Sequence, residues 1–554
     1  MKKNSIYTFM AIAAMALSSC GNEFLDKLPD RRTDIDTPEK AVSMLVSAYP
    51  DHDFQMVTEF MSDNVDDYGL DNPNTKRYLE QVFFWQDVTE TDNESPENYW
   101  STSYSNIASA NLTLDALDRM AEKSGWTSSM KETQAEALLC RAYGHFILVN
   151  LFAMHYNAQT ADKDLGVTIM LAPETELSPD YQRNTVAECY KAIADDIEKA
   201  LPNVGSSNYT VPKYHFNEQA AYAFACRFYL YYEKWEKAIE YADKVLGANP
   251  KAMLRDYELI GKETAAAACT QKYIDADLNC NLLLATAYSQ MGKAMTNYST
   301  YKRFAHVKYN SSTETATASH PWGAIATTGY YTPFKSYSSS TSAYTIFWRV
   351  PYLFEYTDAV AGTGYSRTVF PLFTTDEVLL NRAEAYVMLK EYDKACDDIN
   401  LWVKNIIKTG ATEVTPESVT AFYNDMQYCY EIVDGERVCT PKKHLHPSFA
   451  IDEEGSTQES MLQCVINARR IEQLELGMRW FDVKRFGIVI PRRLCNAAGV
   501  PDTYTDWLEV DDPRRAIQIP LRVRDAGYTP NQRRVAPTPE NYVLPNEDPE
   551  EPAE

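Results

Sequence analysis

The sequence predicts an all-α dominated fold, in which an α-solenoid of four degenerate tetratricopeptide (TPR) helix pairs carries a large irregular, loop-rich lobe. Two observations support this prediction: a helix–turn–helix pattern occurs twice, and two long segments lack helical periodicity. Repeat units stabilise one another by stacking, so we expect a single unit over residues 20–554. Its predicted helices occupy about residues 34–50, 98–122, 131–156, 185–201, 218–250 and 376–406.

The repeat is clearest when residues 218–250 are aligned with residues 376 onward. Both copies place a small, an aromatic and a second small residue at TPR spacing, and the first copy ends at Pro250. The turns between the helices read Tyr-Glu-Lys-Trp at 232–235 and Leu-Lys-Glu-Tyr at 389–392. Small residues let paired helices approach closely while the aromatic ring fills the groove. These positions are Cys226, Tyr229 and Ala238 in the first copy and Ala383, Tyr386 and Ala395 in the second.

Two further amphipathic segments, residues 131–156 and 185–201, could form another helix pair. Thr185 followed by Glu188 predicts a capping box at the start of the second segment. Between the helices lie two long excursions, at about residues 62–97 and 295–370. Segments of this length are usually functional or disordered, and their density of Tyr and Trp argues against disorder. We therefore expect the excursions to carry the ligand site.

The amino terminus predicts export and a lipid anchor. Lys2 and Lys3 precede an apolar run at residues 6–17, which has the length of a signal peptide rather than of a membrane span. Ser18 and Ser19 supply small residues before Cys20, in a pattern that resembles a bacterial lipobox. Residues 1–19 are thus the predicted lipoprotein signal peptide and Cys20 the lipidation site. The alternative is a plain secretory signal with an incidental cysteine.

The net charge and the shortness of the apolar runs after the amino terminus bear on which partners and membrane spans the chain can have. Asp and Glu outnumber Lys and Arg, 78 to 53, and the formal net charge is −25. Nucleic-acid binding is disfavoured because its electrostatic attraction needs clustered basic residues. No later segment has the uninterrupted apolar length of a transmembrane helix. A neutral ligand fits this composition better.

The ten cysteines after Cys20 are scattered, without Cys or His at zinc-like spacing, so we predict no metal site and no cofactor. Most lie on apolar helical stretches and fit core positions. Cys429 and Cys439 differ because they flank Val433-Asp434-Gly435, interpreted as a three-residue hairpin loop. Symmetric placement would set the two residues opposite each other, so a disulfide could form between them in an exported protein.

Motifs near both termini and on two predicted helices form one set. Phe24-Leu25-Asp26 and Pro29 follow Cys20, and a charged, aromatic signature occupies residues 465–490. The other residues of the set are Trp100, Tyr104, Ile107 and Asn111, then Glu136, Arg141 and Tyr143, then Glu472, Arg479, Trp480 and Asp482. Together they resemble the SusD/RagB-like family of outer-membrane nutrient-binding lipoproteins from Bacteroidota. The sharpest match is the carboxy-terminal signature, although Arg469 stands where the family usually has Glu, and its charged residues at helical spacing favour a buried ion-pair network over an active site.

The resemblance implies a function and a set of partners. It implies a surface lipoprotein of the outer membrane that binds a glycan and passes it to a SusC-like TonB-dependent outer-membrane transporter. Aromatic faces can stack on sugar rings while nearby polar groups bind the hydroxyls. The alternative is that any one of these aromatic rings fills the core instead. The candidate ligand-binding residues are Asp67, Tyr68, Trp85, Tyr298, Trp322, Tyr330 and Tyr331.

Two other functions stay open. A TPR protein-interaction scaffold would bind a peptide on the solenoid, and a surface glycoside hydrolase would need two carboxylates across a sugar bond. Common catalytic motifs are missing, so we predict no catalytic residues. His444 and His446 are interpreted as surface histidines, and the Asp spacing at 63–71 does not fit an EF-hand loop. The acidic, Pro-rich tail at 537–554 is expected to be mobile.

Overall fold

In the computed structural model, the described residues are 35–74, 76–175, 180–296, 301–332 and 334–533. Cys20, Tyr298 and the tail at 537–554 lie outside these ranges, so their predicted roles are not tested. The α-helices are α1 (Pro38–Leu45), α2 (Gln55–Met61), α3 (Arg77–Phe83), α4 (Pro96–Ser124), α5 (Ser128–Phe152), α6 (Val186–Ala200), α7 (Glu218–Tyr231), α8 (Trp235–Leu246), α9 (Tyr257–Ile260), α10 (Ala266–Tyr273), α11 (Met291–Met295), α12 (Lys308–Thr313), α13 (Thr375–Met388), α14 (Tyr392–Ile406), α15 (Pro416–Asn424), α16 (Thr457–Glu472), α17 (Arg479–Arg485) and α18 (Leu521–Asp525).

The strands are short and belong to several small sheets. They are β1 (Asp66–Asp67), β2 (Asn281–Tyr288), β3 (Phe304–Ala305), β4 (Ser319–His320), β5 (Gly323–Ala324), β6 (Lys335–Ser338), β7 (Ala343–Ile346), β8 (Leu353–Asp358), β9 (Thr363–Thr374), β10 (Ile432–Val433), β11 (Glu436–Arg437), β12 (Ile490–Cys495) and β13 (Pro501–Leu508). The chain is therefore helix-rich, as predicted. In the described residues, no helix is both long and apolar enough to cross a membrane.

The two predicted repeat copies form the helix pairs α7–α8 and α13–α14. Their connecting turns match in conformation, because Glu233 and Lys390, the second residue of each turn, have positive φ values of 59° and 61°. The predicted small positions are fully buried between the helices. Helix α13 then packs against α8 on one side and α16 on the other, which extends the stack. The number of TPR units stays a prediction.

Helices α4, α5 and α6 pack in sequence beside these pairs, and each begins at a side-chain cap. Ser95 caps α4, with Pro96 in its first turn, and Thr127 caps α5. At α6 the predicted capping box is present: Thr185 accepts from the amide of Glu188, whose carboxylate accepts from the amide of Thr185. The three helices therefore begin within about three residues of the starts predicted from the sequence.

The two excursions meet in a four-stranded sheet with the order β13–β12–β1–β3. Strand β1, from the first excursion, pairs with β12 in parallel and with β3, from the second excursion, in antiparallel orientation. The second excursion is also more regular than predicted, because residues 304–358 form strands β3–β8 and helix α12. Its two- to six-residue strands are too short to give a clear period-two pattern in the sequence.

The predicted carboxy-terminal signature forms α16, α17 and the start of β12, and its charged residues are buried in ion pairs. Arg479 donates to Asp63 at 2.8 and 3.0 Å, which ties α17 to the end of α2. Arg469 donates to Asp482 at 2.9 Å through two nitrogens. The structure therefore places the signature's charges in a network that holds several elements together.

Lys484 lies inside this signature and provides a test of its burial. Its ammonium donates to the carbonyl oxygens of Asn150 and Ala153, and burial together with the nearby Arg515 lowers the pKa of Lys484 to about 7. An unfolded lysine titrates near pH 10.4. The unfolded state therefore binds more protons between pH 7 and pH 10, and this residue makes stability rise with pH across that window.

We expect Lys484→Met to remove a slope of about 1 kcal/mol per pH unit between pH 7 and pH 9.5. Urea unfolding of both proteins at several pH values measures this difference, and other titrating groups cancel in the comparison. Equal slopes in the two proteins would show that the pKa of Lys484 is the same in the folded and the unfolded protein.

The hairpin β10–β11 differs from its prediction in one respect. The connecting loop has two residues, Asp434 and Gly435, rather than the predicted three, because Val433 pairs with Glu436. Both loop residues have positive φ, 53° and 83°, as a type I′ turn requires. Cys429 and Cys439 are both free thiols here, so their disulfide stays a prediction.

Candidate functional site

The candidate site is a cleft of about 430 Å³ at the place where the two excursions meet. Its walls come from the turn after β1, from the residue that follows α3, from the segment before β3, and from β12 and β13. Two residues predicted from the sequence, Asp67 and Tyr68, line this cleft together. Other lining residues that matter below are Leu70, Asp71, Phe84, Arg303 and Asp502.

The turn after β1 is built by local hydrogen bonds. The Asp67 carboxylate accepts from the amide of Gly69 at 2.7 Å, and the Asn72 side chain donates to the carbonyl of Tyr68 at 3.0 Å. Gly69 has φ of 84°, and a Cβ there would lie 3.2 Å from the Leu494 side chain. This turn presents Leu70 at the cleft rim with 82% of its surface exposed.

Arg303 joins the two excursions beneath the cleft. It donates from two nitrogens to the Asp67 carboxylate at 2.9 Å, and from the third to Glu80 at 2.9 Å. Asp67 and Arg303 are both buried, which strengthens this bidentate pair. Arg493, the other arginine lining the cleft, is paired with Asp66 at 2.6 Å. Both guanidinium groups at the cleft are therefore neutralised by carboxylates of the protein.

Tyr68 separates this cleft from a second one. Its hydroxyl donates to the carbonyl oxygen of Ala343 and accepts from the Ala343 amide at 2.9 Å. Burial raises the pKa of Tyr68, so the hydroxyl stays protonated and can donate. Ala343 lines the neighbouring cleft, of about 510 Å³, together with Lys308, Tyr309, Ser338 and Ser339. The two clefts thus adjoin along one contact between the excursions.

The rim of the first cleft combines apolar and polar groups. Leu70 is exposed and Phe84 is half-buried, so each offers apolar surface to a ligand. Asp71 and Asp502 are exposed carboxylates at the same cleft, and carboxylates accept hydrogen bonds from hydroxyl groups. An apolar ring wall with a few hydrogen-bonding groups is the usual composition of a small-molecule or sugar site.

The structure buries Trp85 and Trp322, two of the predicted aromatic candidates. Trp322 is fully buried, with its ring stacked on His320 at 4.7 Å and edge-on to Trp402 at 5.4 Å. Trp85 is 3% exposed and donates from its indole nitrogen to the Met61 carbonyl at 2.9 Å. In this structure neither ring can serve as the predicted stacking platform, because protein atoms occupy its faces.

The neighbouring candidates Tyr330 and Tyr331 also contact other parts of the protein, and they differ in burial. Tyr330 is buried, with its hydroxyl donating to the Ala316 carbonyl and its ring edge-on to Phe334 at 5.0 Å. Tyr331 is half-buried against the main core, and its amide donates to the Ile406 carbonyl at 3.1 Å. Of the candidates in the described residues, only Asp67 and Tyr68 line a cleft described above. The proposed site therefore contains these two candidates and not the others.

Sequence reasoning missed Phe84, although it belongs to the run Phe83-Phe84-Trp85. Helix α3 ends at Phe83, and Phe83 and Trp85 turn inward while Phe84 stays at the cleft. The run of three aromatic residues was the available signal. The sequence offers no means of choosing its middle member, since the choice depends on where the helix ends.

A separate pocket, also of about 430 Å³, lies at the start of α4. It contains Trp100, Tyr104 and Asn111, which belong to the motifs that resemble the family. Two of them already use polar atoms to bind the protein: Tyr104 donates to the Thr168 carbonyl at 3.0 Å, and Asn111 donates to the Met170 carbonyl at 3.0 Å. These contacts fix the segment around residues 168–172 against α4. We therefore interpret this motif as structural and rank its pocket below the cleft at Asp67.

The hairpin β8–β9 carries a third surface with exposed aromatic residues. Tyr352, Tyr356 and Tyr365 are 45%, 61% and 49% exposed. Nearby, the Arg367 guanidinium lies 3.8 Å from the Tyr288 ring centre. None of these three tyrosines lines a cleft described above, so this surface serves below as a comparison site.

Comparison with known proteins gives the family of the chain. Residues 23–230 match the family model described as SusD-like, starch-binding associating with outer membrane, and residues 290–549 match the SusD family model. No curated protein is significantly similar to the chain. The first match includes α4, α5, α6 and all of α7 except its last residue, and the second includes the whole carboxy-terminal signature.

Solved structures show the same fold at low sequence identity. A SusD superfamily protein from Bacteroides thetaiotaomicron is 18% identical with a TM-score of 0.60, over 90% of this chain and all of that one (100%). One from Bacteroides fragilis is 17% identical with a TM-score of 0.57, over 90% and 99%. A SusD-like carbohydrate binding protein from Bacteroides vulgatus is 14% identical with a TM-score of 0.57, over 88% and 96%. On the family matches and this shared fold, the chain belongs to the SusD/RagB-like family.

Proposed function

We propose that this protein binds a neutral glycan in the cleft at Asp67 and Tyr68, as a surface lipoprotein that delivers nutrient to a transporter. The observation that carries the proposal is the cleft itself, which both excursions build and which has an apolar rim beside exposed carboxylates. The SusD-family match, with its starch-binding description, and the carbohydrate-binding relative support a sugar as the ligand.

Charge supports a neutral rather than an acidic glycan. Arg303 and Arg493 line the cleft, but each is neutralised by a carboxylate. Asp71 and Asp502 are exposed there and would repel uronate or sulfate groups. The whole chain adds a net charge of −25. Like charges brought together at a binding surface cost affinity, so an anionic polymer is the unfavoured ligand.

Delivery and anchoring complete the proposal. We infer lipidation at Cys20 from the lipobox-like pattern, and a SusC-like TonB-dependent transporter as partner from the family. Two acyl chains on one cysteine would give stable membrane attachment. Labelling with a fatty-acid analogue tests the anchor, because Cys20→Ser should abolish it. Co-purification of the transporter from detergent-solubilised outer membranes tests the partner, and its absence there would argue against delivery.

Affinity electrophoresis in native gels tests the choice of ligand. We expect gels containing a neutral polysaccharide, drawn from a panel of starch, β-glucans, xylans and mannans, to retard the protein. Gels containing polygalacturonate or heparin should not. Because binding without turnover is proposed, the retarding polysaccharide should keep its chain length after incubation. Retardation by polyanions alone, or shortening of the polysaccharide, would contradict the proposal.

A further inference from the structure

Cys429 and Cys439 lie at the two ends of the hairpin β10–β11, behind the candidate site. The hairpin pairing continues outward from the strands, since the Tyr430 amide donates to the Val438 carbonyl at 2.7 Å and the Val438 amide donates to the Glu431 carbonyl at 2.9 Å. Cys429 and Cys439 are the next residues out on each side. Their sulfur atoms and a carboxylate oxygen of Glu314 all lie within 4.8 Å of one another.

Two chemistries could use such a cluster: a metal ion or a disulfide. Two thiolates and a carboxylate are acceptable zinc ligands. In this cluster, however, a lysine side chain already contacts two of the donors. The Lys443 ammonium donates to Glu314 at 2.6 Å and to the Cys429 sulfur at 2.8 Å, so it contacts two of the three donors that a metal would need.

Further positive charge surrounds the same carboxylate. Arg493 and Arg470 also pair with Glu314, and Arg493 lies 3.9 Å from the Cys439 sulfur. A divalent cation would have to enter beside three cationic side chains, all of them buried. The hydrogen bond with Cys429, helped by Arg493 and Lys443, lowers the pKa of Cys439 to about 7, so Cys439 forms the thiolate that is reactive in disulfide exchange. Burial instead raises the pKa of Cys429. Electrostatics therefore favours sulfur chemistry over metal binding.

We propose that Cys429 and Cys439 form a disulfide bond in the exported protein. Cys439 is half-buried and Cys429 is buried, so Cys439 is the accessible thiol. The Cys439 thiolate attacks an external disulfide, that of an oxidoreductase or of oxidised glutathione, and releases one thiol. The Cys429 thiol then loses its proton as its sulfur attacks the Cys439 sulfur, and the second thiol is released. Two protein thiols are oxidised, the external disulfide is reduced, and both protons pass to the departing thiolates.

The bond would brace one wall of the candidate cleft. Arg437 of the hairpin lies over the rings of Tyr504 and Trp507 on β13, at 5.2 and 5.1 Å from their centres. Strand β13 also contributes Asp502 to the cleft. Closing the ends of the hairpin thus limits the movement of a segment that packs behind the proposed glycan site.

Peptide mapping tests the bond directly. Trypsin cleaves after Lys408, Arg437 and Lys442, so Cys429 and Cys439 fall on separate peptides, 409–437 and 438–442. The exported protein is denatured with N-ethylmaleimide and digested without reductant. We expect these two peptides to appear linked, and to separate after reduction. Cys269, outside the pair, serves as the control and should be fully labelled before reduction.

A second measurement makes the result independent of export. Reduced purified protein is treated with oxidised glutathione and mapped in the same way, and the linked peptides should appear again. In the Cys439→Ala variant, Cys429 should instead be labelled by N-ethylmaleimide or form a mixed disulfide with glutathione. Free, labelled thiols at both positions after oxidation would overturn the proposal. Stoichiometric zinc in the purified protein that is lost in Cys439→Ala would overturn it in favour of a metal site. Neither outcome depends on glycan binding.

Discussion

Replacing Trp322 with alanine should lower the free energy of unfolding by about 3–5 kcal/mol, the usual cost of removing a large buried aromatic side chain. Trp322 is fully buried, and its indole packs against the rings of His320 and Trp402. Truncation would leave a cavity between these rings that the surrounding helices and strands cannot fill. Urea unfolding, followed by intrinsic fluorescence or circular dichroism, measures the change.

Two matched variants separate this structural role from ligand binding. Trp322→Phe keeps an aromatic ring and should cost less than the alanine variant. Tyr356→Ala removes an exposed ring and should change stability by no more than about 0.5 kcal/mol. If Trp322→Ala were as stable as the wild type but no longer bound glycan, Trp322 would be a ligand contact after all.

Arg469→Met should destabilise the protein by about 3–5 kcal/mol, because it breaks a buried ion-pair network from one side. Arg469 donates to Asp482 at 2.9 Å, to Asn381 at 3.1 Å and to Glu384. Methionine retains much of the length of the side chain but leaves Asp482 without its main cation. Arg485 would still pair with Glu384. The expected result is a lower urea midpoint, and partial loss of soluble protein.

The control for this prediction is an exposed pair. Lys191 and Asp195 form an ion pair one helical turn apart with 71% and 64% of their side chains exposed, so Lys191→Ala should cost less than about 0.5 kcal/mol. A similarly small change in Arg469→Met would show that the network around α16 is hydrated. Arg469 also explains how this chain tolerates a departure from the family pattern, since two carboxylates compensate the arginine.

The helix pairs α7–α8 and α13–α14 were predictable because their signals are local. The small and aromatic residues of α7–α8 and α13–α14 recur at fixed spacing, and the turns at Glu233 and Lys390 have matching positive φ values. The α6 capping box likewise depends on residues only three apart. Such features follow from backbone geometry within one or two helical turns, which a single sequence displays.

The candidate site was only partly predictable because its contacts are distant in sequence. Tyr68 binds Ala343, 275 residues away, and Asp67 binds Arg303, 236 residues away. Composition marks the excursions as rich in aromatic residues, but burial depends on which partners fold over each ring. The same rings that suggested a sugar platform, those of Trp85 and Trp322, therefore became core.

Charge pairing shows the same limit. The carboxylates at 63, 66 and 67 looked like a loose acidic group in the sequence. In the structure each one binds a different arginine: Arg479, Arg493 and Arg303 respectively. These arginines lie more than 230 residues further along the chain, so no local pattern identifies the pairs. The exposed carboxylates left at the cleft are Asp71 and Asp502.

The central claim is that the glycan binds at the cleft beside Asp67 rather than at another aromatic surface. Affinity electrophoresis of three alanine variants tests it, in gels of the neutral polysaccharide that retards the wild type. Phe84→Ala changes the cleft, Tyr181→Ala the pocket beside α4, and Tyr356→Ala the β8–β9 hairpin. Circular dichroism confirms that each variant is folded.

We predict that Phe84→Ala weakens binding about tenfold, which corresponds to about 1.4 kcal/mol, while the other two variants migrate like the wild type. Loss of a ring face that contacts sugar accounts for an effect of this size. The account would be contradicted if Phe84→Ala were retarded as strongly as the wild type while Tyr181→Ala or Tyr356→Ala lost retardation. The glycan site would then lie at the surface that the affected variant changes.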